Sequence, residues 1–187
     1  MKVLAIDTAT ERCSVALRSG GAVHVRSIDT ARGHADTVLP LIERGYLIIS
    51  DECVKDSGED WPKLTWVVDA RVESNLVPVA TLPLPPAENF IKRGGRYGSH
   101  NLHENQPGPC SFRSETLIFG TFFNGGVRAF DLTNPLQPKE VGYFVPGAPK
   151  LAPKGSAQIN DVWVDENRLV YAVDRFGGGL YTLETSF

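Results

Sequence analysis

The feature that most constrains this chain is a strand-pair pattern that recurs after Gly45. The segments "YLIISDE" (46–52), "LIFGTFF" (117–123) and "LVYAVDR" (169–175) are β-rich runs of equal length. Each leads into a second run: "LTWVVDARVES" from Leu64, "GVRAFDLTNPLQP" from Gly126 and "GLYTLE" from Gly179. Glycine turns, "NGG" at 124–126 and "GGG" at 177–179, join two of the three pairs. A third strand follows the first two pairs, "LVPVATLPLP" from Leu76 and "PKEVGYFVPG" from Pro138, in register with Asp69 and Asp131. Ahead of the second and third units lie "SHNLHEN" (99–105) and "QINDVWVDEN" (158–167), which the spacing places as innermost strands. No helical period is sustained through this region, so repeated antiparallel sheets of about four short strands are predicted.

Residues 1–44 follow a different grammar. "VLAID" reads as a short buried strand, and "CSVALRS" and "AVHVRSI" as a hairpin turned at "SGG". "GHADTVLPLIER" then places Val38, Leu41 and Ile42 at helical spacing, which predicts a short helix that Pro40 kinks or delays and Gly45 caps. "IERGYLIIS" (42–50) is therefore read as a seam between a segment covering residues 1–44 and repeats covering residues 45–187. The alternative left open is one compact α+β domain.

Composition narrows the functional classes. A net charge of -3 offers no bulk attraction to nucleic acid, and 42% hydrophobic with 22% charged residues is ordinary for a globular chain. No run approaches the roughly 18 apolar residues of a membrane span, and "VLAI" stops at Asp7. Cys13, Cys53 and Cys110 are odd in number, with no CxxC pair, which reads as three reduced thiols in a cytoplasmic setting.

"MKVLAIDTATERCSVALRSGG" followed by "HADTVLPLIER" resembles the start of the TsaB family, actin-like-fold partners of the transferase that makes threonylcarbamoyladenosine in tRNA. The resemblance implies an actin-like (ASKHA) opening, a phosphate-type turn at Asp7, Thr8 and Thr10, and a helix used for pairing with a TsaD-like transferase subunit. The rest of that fold is missing, so a complete nucleotide site does not carry over. "NGGVRAFDLTNPLQPKEVGYFVP" resembles LVIVD-type β-propeller repeats, with Asn134 where Asp is frequent at the turn. That resemblance covers about residues 46–185 and implies two full blades and one partial one.

Candidate chemistry is sparse. His100 and His103, with Glu104 beside them, are the cluster that invites a metal, but residues three apart on a strand face opposite sides. The reading adopted is a polar inner strand bonded to backbone. Together with Asn101, and with Asn160 and Asp161 of the last unit, these residues are the candidate ligand-binding ring around a channel. "FGGG" (176–179) has no helix behind it and reads as a strand turn rather than a phosphate loop. "KRGGRYGSH" (92–100) reads as a solvated loop, and Ser14 and Ser111 have no triad partners in sequence. The expectation is a mainly β chain of incomplete propeller blades after a β-hairpin and short helix. No cofactor, metal or catalytic residue is implied. Its function is expected to be non-catalytic binding or scaffolding, and its open blades to pair with further copies through faces or strand edges. The competing expectation is a TsaB-like role in tRNA modification.

Overall fold

Among the residues described by this computed structural model (3–7, 12–19, 22–29, 37–41, 45–103, 108–152 and 154–187) there are thirteen strands. The helix among them amounts to two 3-10 turns, Ala87–Asn89 and Ile91–Arg93. Three strands, β1 (Val3–Asp7), β2 (Arg12–Ser19) and β3 (Ala22–Asp29), form an antiparallel meander in the order β1-β2-β3. The predicted hairpin is present, with Ser19 paired to Ala22.

A four-stranded sheet follows, ordered β4 (Thr37–Leu41), β5 (Tyr46–Ser50), β6 (Thr65–Asp69), β7 (Val77–Thr81). This corrects the predicted short helix, because Thr37–Leu41 is a strand that pairs with β5. The physical reason lies in Pro40. It has no N–H to donate and clashes inside a helix, whereas an edge strand tolerates it. Gly45 is accordingly a turn residue with φ +73° rather than a helix cap. The register Leu41↔Tyr46 runs across the point read as a seam. The strand that begins at Tyr46 is paired on both sides by β4 and β6. Both edges of this sheet carry proline, Pro40 on β4 and Pro78 on β7.

The remaining sheets are ordered β8 (Leu117–Thr121), β9 (Val127–Asp131), β10 (Lys139–Phe144) and β11 (Ile159–Val164), β12 (Val170–Asp174), β13 (Gly179–Leu183). Residues 100–103 run along the free edge of β8 as a fourth, irregular strand. His100 N donates to Thr121 O at 2.9 Å, Thr121 N to Asn101 O at 2.8 Å, and His103 N to Phe119 O at 2.9 Å. The chain is thus mainly β, as predicted from its repeats.

Alternation along the middle sheet explains how these sheets join. Ile118 and Phe130 project to one face, where they pack with Ile48, Val67, Leu82, Leu102, Phe122 and Leu132. Phe119, Val127 and Ala129 project to the other, against Ile159, Val162, Val164, Val170 and Ala172. A period of two sends neighbouring residues to opposite faces, so one sheet serves two cores. The turns repeat a single device, a carboxylate at or just past a strand end, or an amide within the turn, accepting the backbone N–H two residues on. Asp69 accepts from Arg71, Asp131 from Thr133, Asn134 from Leu136, Asp165 from Asn167 and Asp174 from Phe176. Arg71, through its side chain and its N–H, holds the Asp69 carboxyl down at about 2. "FGGG" is the β12–β13 turn, and no helix among the described residues is long and apolar enough to cross a membrane.

Candidate functional site

Residues 94–100 pass between sheets, and their glycines make that passage possible. A Cβ on Gly94 (φ +89°) would sit 2.0 Å from Lys154 O. One on Gly95 (φ +70°) would collide with the Gln158 side chain. The solvated loop expected here is instead largely buried, with Tyr97 fully enclosed and Ser99 1% exposed. Tyr97 donates its hydroxyl to Pro85 O, and Ser99 Oγ donates to Lys63 O at 2.8 Å.

This crossing delivers Arg96 and His100 to a polar centre. Arg96 Nη1 meets Glu52 Oε1 at 3.1 Å, and the guanidinium lies 5.4 Å from the Phe123 ring centroid. His100 Nε2 meets the same Glu52 oxygen at 3.2 Å, while its Nδ1 lies 2.7 Å from Asn160 O. Both ring nitrogens face acceptors, so both bonds form together only when the ring carries two protons. Burial pushes the Glu52 carboxyl up. The His100 hydrogen bond, then the charges of His100, Arg96 and Arg175, outweigh it and hold the group below its ordinary range. Phe123 beneath is fully buried at φ +48°, a conformation that a bulky side chain adopts only where the surroundings impose it. Its carbonyl accepts from Gly126 N and Ile159 N, both at 3.0 Å.

Gln158, 1% exposed, is the node beside this centre. Its Oε1 accepts Arg96 N at 2.8 Å and its own carbonyl accepts Arg175 N at 3.1 Å. Gln158 N in turn donates to the buried Asp174 carboxylate at 2.6 Å. Three segments distant in sequence are therefore fixed to one another around Arg96 and Arg175. Between them a cleft of about 330 Å³ opens, lined by Val54, Asp56, Arg96, Lys154, Arg175 and Phe176.

The sequence candidates separate in space. His100 and Asn160 come together at the centre, and Asn101 contributes backbone bonds to Thr121 beside them. Thr121 Oγ1 also reaches Asn160 O at 3.2 Å. His103 is buried and bound to backbone: its Nδ1 accepts Val164 N at 3.1 Å, which leaves Nε2 to donate to Phe112 O at 2.9 Å. Asp161 is exposed and accepts its neighbour's N–H from Val162. Asp7 ends β1, whereas Thr8, Thr10 and Glu104 lie outside the described residues. Among the described residues no three His, Cys, Asp or Glu side chains converge as a metal site requires.

Glu52, Arg96, Gln158, Asp174 and Arg175 were not among the candidates. The available signals were weak: a Gly-Gly pair directly before Arg96, and a strand-ending Asp directly before Arg175. Cys53 is a poor nucleophile. Burial first, then the hydrogen bond to Asp60 and that residue's charge, push its thiol up to about 12.

Comparison with known proteins gives a short likeness. The tRNA threonylcarbamoyladenosine biosynthesis protein TsaB of Escherichia coli (strain K12) is 46% identical over 43 residues, which are 23% of this chain and 19% of that protein. The chain thus spans less than a fifth of the length of the curated relative it matches. No protein-family model matches the chain, so the LVIVD-type resemblance rests on the residues quoted for it.

Proposed function

We propose that this is a non-catalytic binding and scaffold protein built from β-propeller blades, preceded by a TsaB-like segment. The observation that carries this reading is the middle sheet β8–β10, covered on both faces by its neighbours in chain order. Blades of a propeller stack in that way, with short inner strands around a polar centre. Division at residue 44 and a cytoplasmic setting belong to the same reading. The free thiols of Cys53 and Cys110 support the latter.

Among the described residues the two outer sheets each present exposed apolar side chains. On the third sheet Trp163 (40% exposed) pairs with Tyr171, and Val173 with Leu180. On the four-stranded sheet Trp66 (36% exposed) lies opposite Ile49. The middle sheet, covered on both faces by neighbouring sheets, supports another sheet of the same kind as the cover for such a face. A second copy of this chain is therefore the occupant, joined face to face, since prolines on β4 and β7 blunt the edges of the four-stranded sheet. Light scattering over a micromolar dilution series tests the assembly. A mass above the 20.4 kDa monomer that falls in Trp163→Glu is expected. A monomer at every concentration defeats the reading.

The likeness to TsaB favours a second reading, a TsaB-like subunit that pairs with the transferase in tRNA threonylcarbamoyladenosine biosynthesis. Restoration of the modified nucleoside in a strain depleted of TsaB would support it. Since the likeness covers so little of that protein, no restoration is expected.

A further inference from the structure

We propose that the cleft beside the polar centre binds a small organic phosphate, its phosphate held by Arg96, Lys154 and Arg175 and its apolar body lying on Val54 and Phe176. Charge comes first. Three cations line the cleft against one carboxylate, Asp56. Glu52 behind Arg96 offsets part of that charge, and the positive excess that remains favours an anion such as a phosphate monoester, which carries about -1.5 to -2 at neutral pH.

Donor supply points the same way. The Arg175 side chain makes no hydrogen bond or ion pair among the described residues, and its guanidinium rests 5.3 Å from the Phe176 ring centroid. Arg96 spends only Nη1, on Glu52 and on Cys53 O, which leaves Nε and Nη2 of its planar fork for oxyanion oxygens. Lys154 pairs with Asp56, but both side chains are over two-fifths exposed, so an incoming dianion competes well for the ammonium.

The site is held in place before any ligand arrives. Glu52 and the Phe123 ring grip the Arg96 guanidinium from behind. Gln158 ties the Arg96 and Arg175 backbones together, and Asp174 clamps the turn through Phe176 N at 2.7 Å and Gly178 N at 3.1 Å. Donors fixed in this way lose little freedom on binding. A volume of about 330 Å³ suits a small metabolite.

Titration calorimetry of the whole chain with phenyl phosphate, inorganic phosphate and phenol tests the assignment at constant ionic strength. Saturable binding is expected for phenyl phosphate, weaker binding for inorganic phosphate, and none for phenol. Arg175→Ala should weaken phenyl phosphate at least about tenfold with an unchanged circular dichroism spectrum, because that exposed side chain holds no part of the fold. Lys154→Ala should weaken it less. No saturable heat, equal binding by Arg175→Ala, or equal heats from phenol would overturn the proposal. The Trp163→Glu variant should bind as well as the parent chain, so this result stands apart from the assembly test; loss of binding there would also count against the cleft.

Discussion

Replacing Asp174 by Asn tests whether one carboxylate holds the polar centre together. Asp174 is 5% exposed, and its two oxygens accept three backbone N–H groups: Gln158 at 2.6 Å on Oδ2, and Phe176 at 2.7 Å with Gly178 at 3.1 Å on Oδ1. An amide of the same shape offers one oxygen and one N–H₂. With its oxygen kept on the turn, the amide opposes Gln158 N–H, forfeiting a charge-assisted bond of about 1.5–3 kcal/mol. The other two bonds drop from charge-assisted to neutral strength, about 1 kcal/mol each. The sum is about 3–5 kcal/mol. For a chain of this size that is a melting temperature lower by roughly 6–20 °C. Urea unfolding followed by circular dichroism measures it directly. Asp165→Asn, which alters a similar turn near the surface, should cost under about 1 kcal/mol. If Asp174→Asn loses no more than that control, the carboxylate is not the clamp described, and the linkage between Arg96 and Arg175 through Gln158 loses its anchor.

Gly126→Ala should be more damaging than Gly179→Ala in the same urea assay. Both need positive φ at about 1–2 kcal/mol, but a Cβ at Gly126 would sit 2.1 Å from Phe144 O while Gly179 faces open space. Equal losses would refute the close approach at the β8–β9 turn. Glu52, with its folded pKa held below the ordinary 4.5, contributes stability that is present above pH 4.5 and is lost as pH falls through the folded value. Glu52→Gln should therefore flatten the pH dependence of stability in that acid range; an unchanged slope counts against the Glu52 network. Native alkylation mapped by mass spectrometry should label exposed Cys110 quickly and leave buried Cys53 untouched until urea is added.

The local part of this fold was legible in the residues. β7, β8, β9, β10, β12 and β13 fall where alternating apolar runs and Gly or Asp turns placed them, because strand period and turn chemistry are properties of a few adjacent side chains. Residues 37–41 were misread because helical spacing and a β edge share the same short apolar run, and only the partner strand β5 decides between them. Tertiary structure alone made the polar centre. Arg96 reads as a surface charge until the sheets stack and bring Glu52 from 44 residues before it and Gln158 from 62 residues after it. His100 and His103, neighbours in sequence, were parted toward Glu52 and toward Val164 because the strand-like backbone sends them to different neighbours. Sequence thus fixed which residues could pair locally, while burial against neighbouring sheets determined which charges would meet, since that depends on contacts no short stretch encodes.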